Sequence, residues 1–267
     1  MKRSLPLKST SAHFVGAALL LAAILLGYSL LPGSHTLSSA PTVSPDSTPR
    51  VQATQHYINR TPLTTHTTPA FDSSGGGLIV VCASSHSGVL MAPSDSFNNT
   101  WIPAAGPTST RMGFDLRTQV WYAKNPRVGL SHTLTFNLSA SQALVISLLV
   151  VSGSDVSDPI DVVSTIGDDA GSQTPHVVSP SIKTTSGNDL LIGFAKSAMG
   201  QVWTSGSDYA AQGPASSSYL GAETGFAETP GTYHSTFELN SPGSWQAVTL
   251  AVRPASAHRL PNSNSVK

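Results

Sequence analysis

Hydrophobic residues are distributed unevenly along the chain, and the longest uninterrupted apolar run lies near its beginning. Residues 14–31 read FVGAALLLAAILLGYSLL and contain no charged side chain. They follow a short leader, residues 1–13, that carries the basic residues Lys2, Arg3 and Lys8. A basic flank before such a run is typical of an export signal or of a membrane anchor whose basic end stays in the cytoplasm. The pattern predicts that the rest of the chain lies outside the cytoplasm.

The sequence after this run favours an anchor that is kept over a signal that is removed. The best cleavage site is residues 37–40, LSSA, but Pro41 follows at once and would hinder cleavage. We therefore expect a single-pass signal anchor that contacts the lipid bilayer through residues 14–31. A cleaved signal peptide and secretion remain the alternative, and a buried soluble helix is a third interpretation.

Residues 32–70 are rich in Ser, Thr and Pro and contain few clustered apolar residues. Such a composition predicts a disordered linker, because it buries too little apolar surface to offset the entropy of ordering. The short piece at residues 55–60, QHYINR, interrupts the composition. It is compatible with an edge strand of the following domain, and we favour the linker.

From residue 71 to residue 254 the pattern changes to short apolar runs separated by Gly, Pro, Ser, Asn and Asp. This is typical of an all-β sandwich or barrel. Residues 133–138, TLTFNL, alternate and predict a strand with one buried face, whereas residues 144–151, LVISLLVV, predict a central strand covered on both sides. We expect a two-sheet antiparallel β-sandwich of the jelly-roll-like kind, followed by a disordered tail at residues 255–267.

The second half of this domain echoes the first. The letters Thr-Phe-x-Leu occur at residues 135–138 and again at residues 236–239, and a long apolar strand pattern follows each. The similarity indicates an internal repeat of related halves. The alternative is that any two strand pairs in a Ser/Thr-rich β-protein look alike.

The composition limits the class of partner and the source of stability. Lys plus Arg equals Asp plus Glu at 14 each, so no basic surplus exists to bind nucleic acid. Charged residues make up 10% of the chain, well below the roughly 25% of ordinary soluble proteins. The single cysteine, Cys82, lies in an apolar run, where a small buried side chain is favoured over a reactive thiol. No intramolecular disulfide is possible, and core packing must hold the fold together.

Aromatic residues in loop-rich stretches are the candidate ligand contacts. Trp101 and Trp203, with the nearby Tyr209, are the better candidates for exposed residues that stack on sugar rings of a glycan or an envelope polymer. Trp121 and Trp245 lie within strand patterns and are expected in the core.

Asp155, Asp158 and Asp161 recur every three residues and are the candidate metal ligands. Loop carboxylates suit a hard cation such as calcium, although the spacing does not match the twelve-residue calcium loop. Turn formation through backbone hydrogen bonds is the favoured alternative, and no cofactor is otherwise expected.

Hydrolytic chemistry has little support in the sequence. Neither G-x-S-x-G nor H-E-x-x-H is present. Glu223 and Glu228 are the one carboxylate pair that we considered for a glycosidase, and two glutamates five residues apart arise easily by chance. We assign no catalytic residue.

Four short motifs follow one another in the domain: D-x-x-N-N-T-W, W-Y-A-x-N, V-S-G and W-x-A, at residues 95–101, 121–125, 151–153 and 245–247. Together they resemble a β-sandwich module of uncharacterised secreted and surface proteins of bacteria and phages. The first motif of that module is usually a D-x-x-G-N-T-W turn, and Asn98 stands at the glycine position. The resemblance implies a β-sandwich outside the cell and carries no catalytic residues.

These observations lead to two expectations for function. The favoured one is a membrane-tethered, exported β-sandwich with a non-enzymatic role in binding, adhesion or envelope structure. The alternative is a carbohydrate-binding module or a carbohydrate-active enzyme.

The anchor prediction is tested by fractionation of cells that express the full chain. We expect the protein in the membrane fraction with a mature N-terminus at Met1 or Lys2, because residues 14–31 are long and apolar enough to span a bilayer. A soluble protein whose N-terminal sequence begins near Ala40 would show instead that the segment is a cleaved signal.

Overall fold

The computed structural model of the protein describes residues 48–111, 115–169, 174–197, 203–213 and 219–256, and this part of the chain is all-β. The anchor predicted at residues 14–31 lies outside the described residues, as do most of the predicted linker before residue 48 and the tail after residue 256. Within the described ranges, no helix is long and apolar enough to cross a bilayer.

Seventeen strands are formed by the described residues. In chain order they are β1 (Arg50–Thr67), β2 (Leu78–His86), β3 (Ser94–Asp95), β4 (Ile102–Arg111), β5 (Asp115–Lys124), β6 (Leu134–Ser152), β7 (Ile160–Val163), β8 (Gly167–Asp169), β9 (His176–Val178), β10 (Ile182–Lys183), β11 (Asp189–Ser197), β12 (Trp203–Ser205), β13 (Ala210–Ala211), β14 (Leu220–Ala227), β15 (Thr232–Tyr233), β16 (Thr236–Leu239) and β17 (Trp245–Val252).

The strands assemble into two large antiparallel sheets and two small ones. The first sheet has the order β1-β6-β2-β5-β4, with β3 also paired to β6. The second sheet has the order β13-β14-β11-β17-β7, with β8 also paired to β17. Strands β12, β16 and β9 form a three-stranded sheet, and β10 pairs with β15. The all-β antiparallel prediction is confirmed, but the described residues form four sheets rather than the expected two.

The two large sheets follow one plan. In the first, β6 lies between β1 and β2, and β5 and β4 follow β2; in the second, β17 lies between β7 and β11, and β14 and β13 follow β11. The Thr-Phe-x-Leu stretches correspond as well. Residues 135–137 pair with the end of β1, and residues 236–238 pair with β9. This shared order supports an internal repeat over a chance similarity of two strand pairs.

The inner faces of the two large sheets share one hydrophobic core. Leu78 and Val80 on β2 belong to the same buried cluster as Leu190 and Ile192 on β11. Alternate residues of a strand point to opposite faces, so this cluster uses every second position of each strand. The sheets therefore pack face to face, and this core replaces the disulfide that the single Cys82 cannot form.

The outer face of the first sheet is covered as well. Strand β6 is 19 residues long, and the buried Leu134 and Phe136 of its first part pack in a second cluster with Ile146 and Leu148 of its second part. The predictions for residues 133–138 and 144–151 are confirmed, because the first stretch alternates between buried and more exposed positions and the second is buried on both faces.

The linker prediction is wrong for residues 50–67, which form the edge strand β1. This strand pairs with β6 along most of its length, and its partly buried Val51 and Ile58 pack on the core between the sheets. Ala53 and Tyr57 pack on the outer cluster. The polar composition of β1 suits an edge strand, because one of its long sides has no neighbouring strand in the sheet.

Candidate functional site

Trp101 is buried in the fold and does not form an exposed sugar-stacking surface. Its side chain is 8% exposed, and its Nε1 donates a hydrogen bond of 2.8 Å to Asp95 Oδ2. The other carboxylate oxygen, Oδ1, accepts from the backbone N–H groups of Phe97 and Asn99 at 2.9 and 3.1 Å. Asn98 adopts φ +56°, a conformation that Gly and Asn tolerate best. The motif at residues 95–101 is thus a turn that closes around its own aspartate.

A buried Ser–His–Asp constellation lies directly beneath this turn. His132 Nδ1 lies 2.9 Å from Ser73 Oγ, and His132 Nε2 lies 3.6 Å from Asp95 Oδ2, too far for a hydrogen bond. Burial lowers the pKa of His132, whereas Asp95 acts in the opposite direction. Phe71 stacks on the imidazole and Phe97 meets it edge-on.

The constellation is enclosed by the fold. Ser73 and His132 are both fully buried, and Ser73 Oγ also exchanges hydrogen bonds with the backbone of Gly129. A serine nucleophile must reach a substrate as well as its base. These residues instead connect the Asp95 turn to the chain before β2, and no sequence motif signalled their proximity.

Trp203 and Tyr209 lie in different surroundings from Trp101 and from each other. Trp203 is 4% exposed and packs edge-on against Phe237, with 5.6 Å between ring centroids. Tyr209 is half-buried, lines a shallow groove beside Tyr233 and donates a 2.7 Å hydrogen bond to the backbone oxygen of His234. The prediction of exposed tryptophans is wrong, because both indoles fill core positions beside strands.

The three candidate metal ligands act as turn and ion-pair groups. Asp155 Oδ1 accepts from the backbone of Asp158 at 3.0 Å and of Ser157 at 2.8 Å, and these bonds hold the pKa of Asp155 well below its usual range. The carboxylates of Asp158 and Asp161 both bind the Arg253 guanidinium. Among the described residues, no group of three or more His, Cys, Asp or Glu side chains is arranged to hold a metal ion.

Glu223 and Glu228 do not form an accessible carboxylate pair. Glu223 is fully buried and accepts hydrogen bonds from the backbone N–H groups of Gly206 and Thr236 at 3.1 and 3.0 Å. Burial raises the pKa of Glu223 to about 8, whereas Glu228 is exposed. Glu223 links β14 to Gly206, which follows β12, and to Thr236 on β16. Its carboxylate is buried.

A cavity of about 120 Å³ lies where one end of the first sheet meets the second. We call it the Lys196 cavity. Its walls come from β1, β2 and β6 of the first sheet, from β11 of the second, and from the residue just before β14. The lining residues are Ile58, Asn59, Arg60, Ser84, His86, Ala143, Leu144, Val145, Lys196 and Tyr219.

Lys196 occupies a position that strand alternation assigns to the core. Leu190, Ile192 and Phe194 point from β11 into the core between the sheets, and Lys196 is the next residue on that face. The lysine is 1% exposed. Its Nζ donates to the backbone oxygen of Ser197 and lies 4.8 Å from the centroid of the Tyr219 ring. Burial lowers the pKa of Lys196 to about 7.

The repeat of the two halves gives this lysine an internal comparison. Leu78 pairs with Val151 in the first sheet as Leu190 pairs with Val252 in the second, which aligns Ser84 with Lys196. Thr118 Oγ1 lies 3.0 Å from Ser84 Oγ and donates a 2.5 Å bond to Gln246 Oε1, linking the two sheets near the cavity. A lysine therefore stands where the related strand carries a small hydroxyl.

The remaining polar groups of the cavity add positive charge. The Arg60 guanidinium lies over the Tyr219 ring at 5.6 Å, and His86 completes the set of basic side chains. Burial and the charge of Lys196 lower the pKa of His86. In the part of the chain that the structure describes, none of the residues that line the cavity is acidic. The electrostatic character of the cavity suits an anion.

One feature of the sequence indicates this site, namely a lysine at a core-facing position of a strand. Leu190, Ile192 and Phe194 form a period-2 apolar pattern on β11. Lys196 is the next position of this pattern, where an apolar residue is expected. Arg60 lies in the segment predicted to be a linker, and His86 follows an apolar run. Their proximity depends on the pairing of β1 and β2 with β6 and on the packing of the first large sheet against the second.

Comparison of the chain with protein-family models, with curated proteins and with solved structures finds no match.

The structure predicts that the Trp101 indole N–H stabilises the fold. Trp101→Phe should lower the free energy of unfolding by about 1–3 kcal/mol, because the buried Asp95 Oδ2 loses its donor. The matched control is Trp245→Phe, since the buried Nε1 of Trp245 has no hydrogen-bond partner among the described residues. Urea unfolding measures both variants. Equal losses in the two would show that ring size alone matters.

Lys196 should give the stability of the protein a distinctive dependence on pH. The lysine pKa is about 7 in the folded state and about 10.4 in the unfolded chain, so the unfolded state binds more protons between these values. The contribution of Lys196 to the free energy of unfolding should therefore rise with pH across this window and stay constant below it.

Urea unfolding of the wild type and Lys196→Met at about pH 7 and about pH 9.5 tests this dependence. We expect the difference between the two proteins to shift in favour of the wild type at the higher pH. Lys183→Met, which removes an exposed lysine, is the control and should show a much smaller shift. Parallel pH profiles of the wild type and Lys196→Met would contradict the assignment.

Proposed function

We propose that this chain is an exported, membrane-tethered, non-enzymatic binding protein whose jelly-roll-like sandwich holds a small organic anion in the Lys196 cavity. The basic leader and the uncharged residues 14–31 support the tether and the location outside the cytoplasm. The balanced charge argues against nucleic acid as a partner. The resemblance to surface β-sandwich modules supports the same general role.

A single observation carries the binding proposal, namely the enclosed amine of Lys196 in a cavity with no acidic lining residue among those described. Removing an ammonium group from water costs free energy unless an opposite charge compensates it. Within the part of the chain that the structure describes, Nζ contacts a carbonyl oxygen and the Tyr219 ring. A bound anion would supply the missing negative charge, and this compensation favours binding.

The size and walls of the cavity narrow the class of ligand. A cavity of about 150 Å³ holds a molecule the size of benzene, so a cavity of about 120 Å³ suits a ligand of similar size or smaller. Ile58 and Val145, which pack on the core between the sheets, form an apolar wall beside the cationic groups. A short monocarboxylate, with a charged head and a small hydrocarbon tail, matches both features.

Binding is favoured over hydrolysis and over sugar stacking. The Ser73–His132–Asp95 constellation and Glu223 are buried away from any substrate. Trp101 and Trp203 are buried as well, which leaves the half-buried Tyr209 as the remaining aromatic candidate for a glycan. The Lys196 cavity therefore carries the proposal better than the aromatic residues do.

Titration with butyrate tests the binding role by thermal unfolding and by calorimetry. At a butyrate concentration of about 100 times Kd, the wild type should be stabilised by about 2.7 kcal/mol. Lys196→Met should lose this stabilisation because the counter-charge is gone, whereas Lys183→Met should keep it. Butyramide, which has the same shape without the charge, should have little effect. Equal stabilisation of Lys196→Met and the wild type would refute the proposal.

A further inference from the structure

We infer that the Lys196 amine forms a covalent imine with short 2-oxo acids, so that the cavity captures carbonyl-bearing carboxylates. This inference rests on the proposed anion-binding role and adds a bond to it. The ligand class is defined by two groups. The carboxylate pairs with the cationic side chains. The adjacent ketone or aldehyde carbon reacts with the primary amine.

The placement of the Lys196 amine in the cavity wall favours imine formation. Nζ belongs to a residue that is 1% exposed, yet this residue is part of the cavity wall. A lysine that is desolvated in a largely apolar pocket is an activated nucleophile, because the neutral amine carries the reactive lone pair. The lowered pKa of Lys196, about 7, agrees with this state. Tyr219 and the carbonyl of Ser197 hold the side chain in place.

The arrangement of the other basic groups favours a ligand with a carboxylate next to its carbonyl group. Arg60 and Lys196 both lie against Tyr219, at 5.6 and 4.8 Å from its ring centroid. A guanidinium binds a carboxylate through two parallel hydrogen bonds, whereas an amine contributes a single reactive atom. A 2-oxo acid presents a carboxylate and a carbonyl carbon on neighbouring atoms. Its length suits a cavity of about 120 Å³.

The reaction needs no component beyond the ligand and the lysine. The Nζ lone pair of the neutral amine forms a bond to the carbonyl carbon as the π bond of the carbonyl breaks, and one amine proton passes to the carbonyl oxygen, which gives a carbinolamine. The second proton on the nitrogen then passes to the hydroxyl group, the carbon–oxygen bond breaks, and water leaves as the carbon–nitrogen double bond forms. No electron is gained or lost. His86 lines the same cavity, and an imidazole can relay a proton in such a reaction.

The position of Lys196 distinguishes it from the other nucleophilic side chains that we compare within the described chain. Ser84 occupies the equivalent place in the related sheet, so packing of this fold does not require a lysine there. Cys82 is a nucleophile of the shared core, but it does not line the cavity and burial raises its pKa. Lys124 and Lys183 are exposed and do not line the cavity.

Reductive trapping of the full chain with pyruvate and sodium cyanoborohydride tests the inference at about pH 7. Intact mass spectrometry and peptide mapping should find one adduct, on Lys196, at a rate at least about tenfold above that of any surface lysine. Lys196→Arg keeps the positive charge and cannot form an imine, so it should lose the adduct. Lys183→Met should be labelled like the wild type. Thermal unfolding confirms that each variant is folded.

Lactate separates the covalent bond from the binding role, because it has the carboxylate of pyruvate with a hydroxyl in place of the ketone. We expect both acids to stabilise the wild type and only pyruvate to be trapped. Stabilisation by both acids without an adduct would overturn the imine and leave the anion site intact. An adduct spread evenly over the surface lysines would also overturn it. No stabilisation by lactate, pyruvate or butyrate would remove both proposals.

Discussion

The packing of the first large sheet on the second is the constraint on which the rest of the structure depends. Each sheet exposes one apolar face that its own strands cannot cover, and each supplies the cover for the other. The single Cys82 is buried in this contact as a small apolar side chain, so no covalent link within the chain assists it. The hydrophobic effect across the shared core must therefore hold the two related halves together.

This contact also explains where a binding site can form. In the middle of the core the facing rows are all apolar, as with Val80 and Ile192. Toward one end the aligned positions become Ser84 and Lys196, and the lining of a cavity replaces close packing. The Thr118–Gln246 hydrogen bond links the sheets at this end. A departure from exact repetition at the last row thus gives the sandwich a chemically distinct site without disturbing its centre.

The buried polar groups elsewhere are mostly used to fasten loops. Asp95 organises its own turn and binds Trp101, and Glu223 accepts two backbone N–H groups. A buried polar group is costly when it lacks a partner, so each of these networks fixes one local arrangement of the chain. Residue types that resemble catalytic sets serve here as structural connections.

Local patterns predicted the strands whose burial depends on alternation. Residues 133–138 and 144–151 have the expected buried faces, because side-chain direction within a strand follows from its backbone geometry alone. The same reasoning failed for β1. Its sequence is polar and its order comes from pairing with β6, a partner that lies far away in the chain.

The sequence by itself therefore determined the fold class, the two central strand patterns, the lack of a disulfide and the expectation of an N-terminal apolar segment. The tertiary structure decided which polar and aromatic residues are enclosed. It buries Trp101 and Trp203 and places Lys196 in the wall of a cavity. The physical reason is that burial of a loop tryptophan or a strand-end lysine is set by packing between distant strands. Composition and spacing record side-chain chemistry, whereas only the packed sheets bring Arg60, His86, Lys196 and Tyr219 to one cavity.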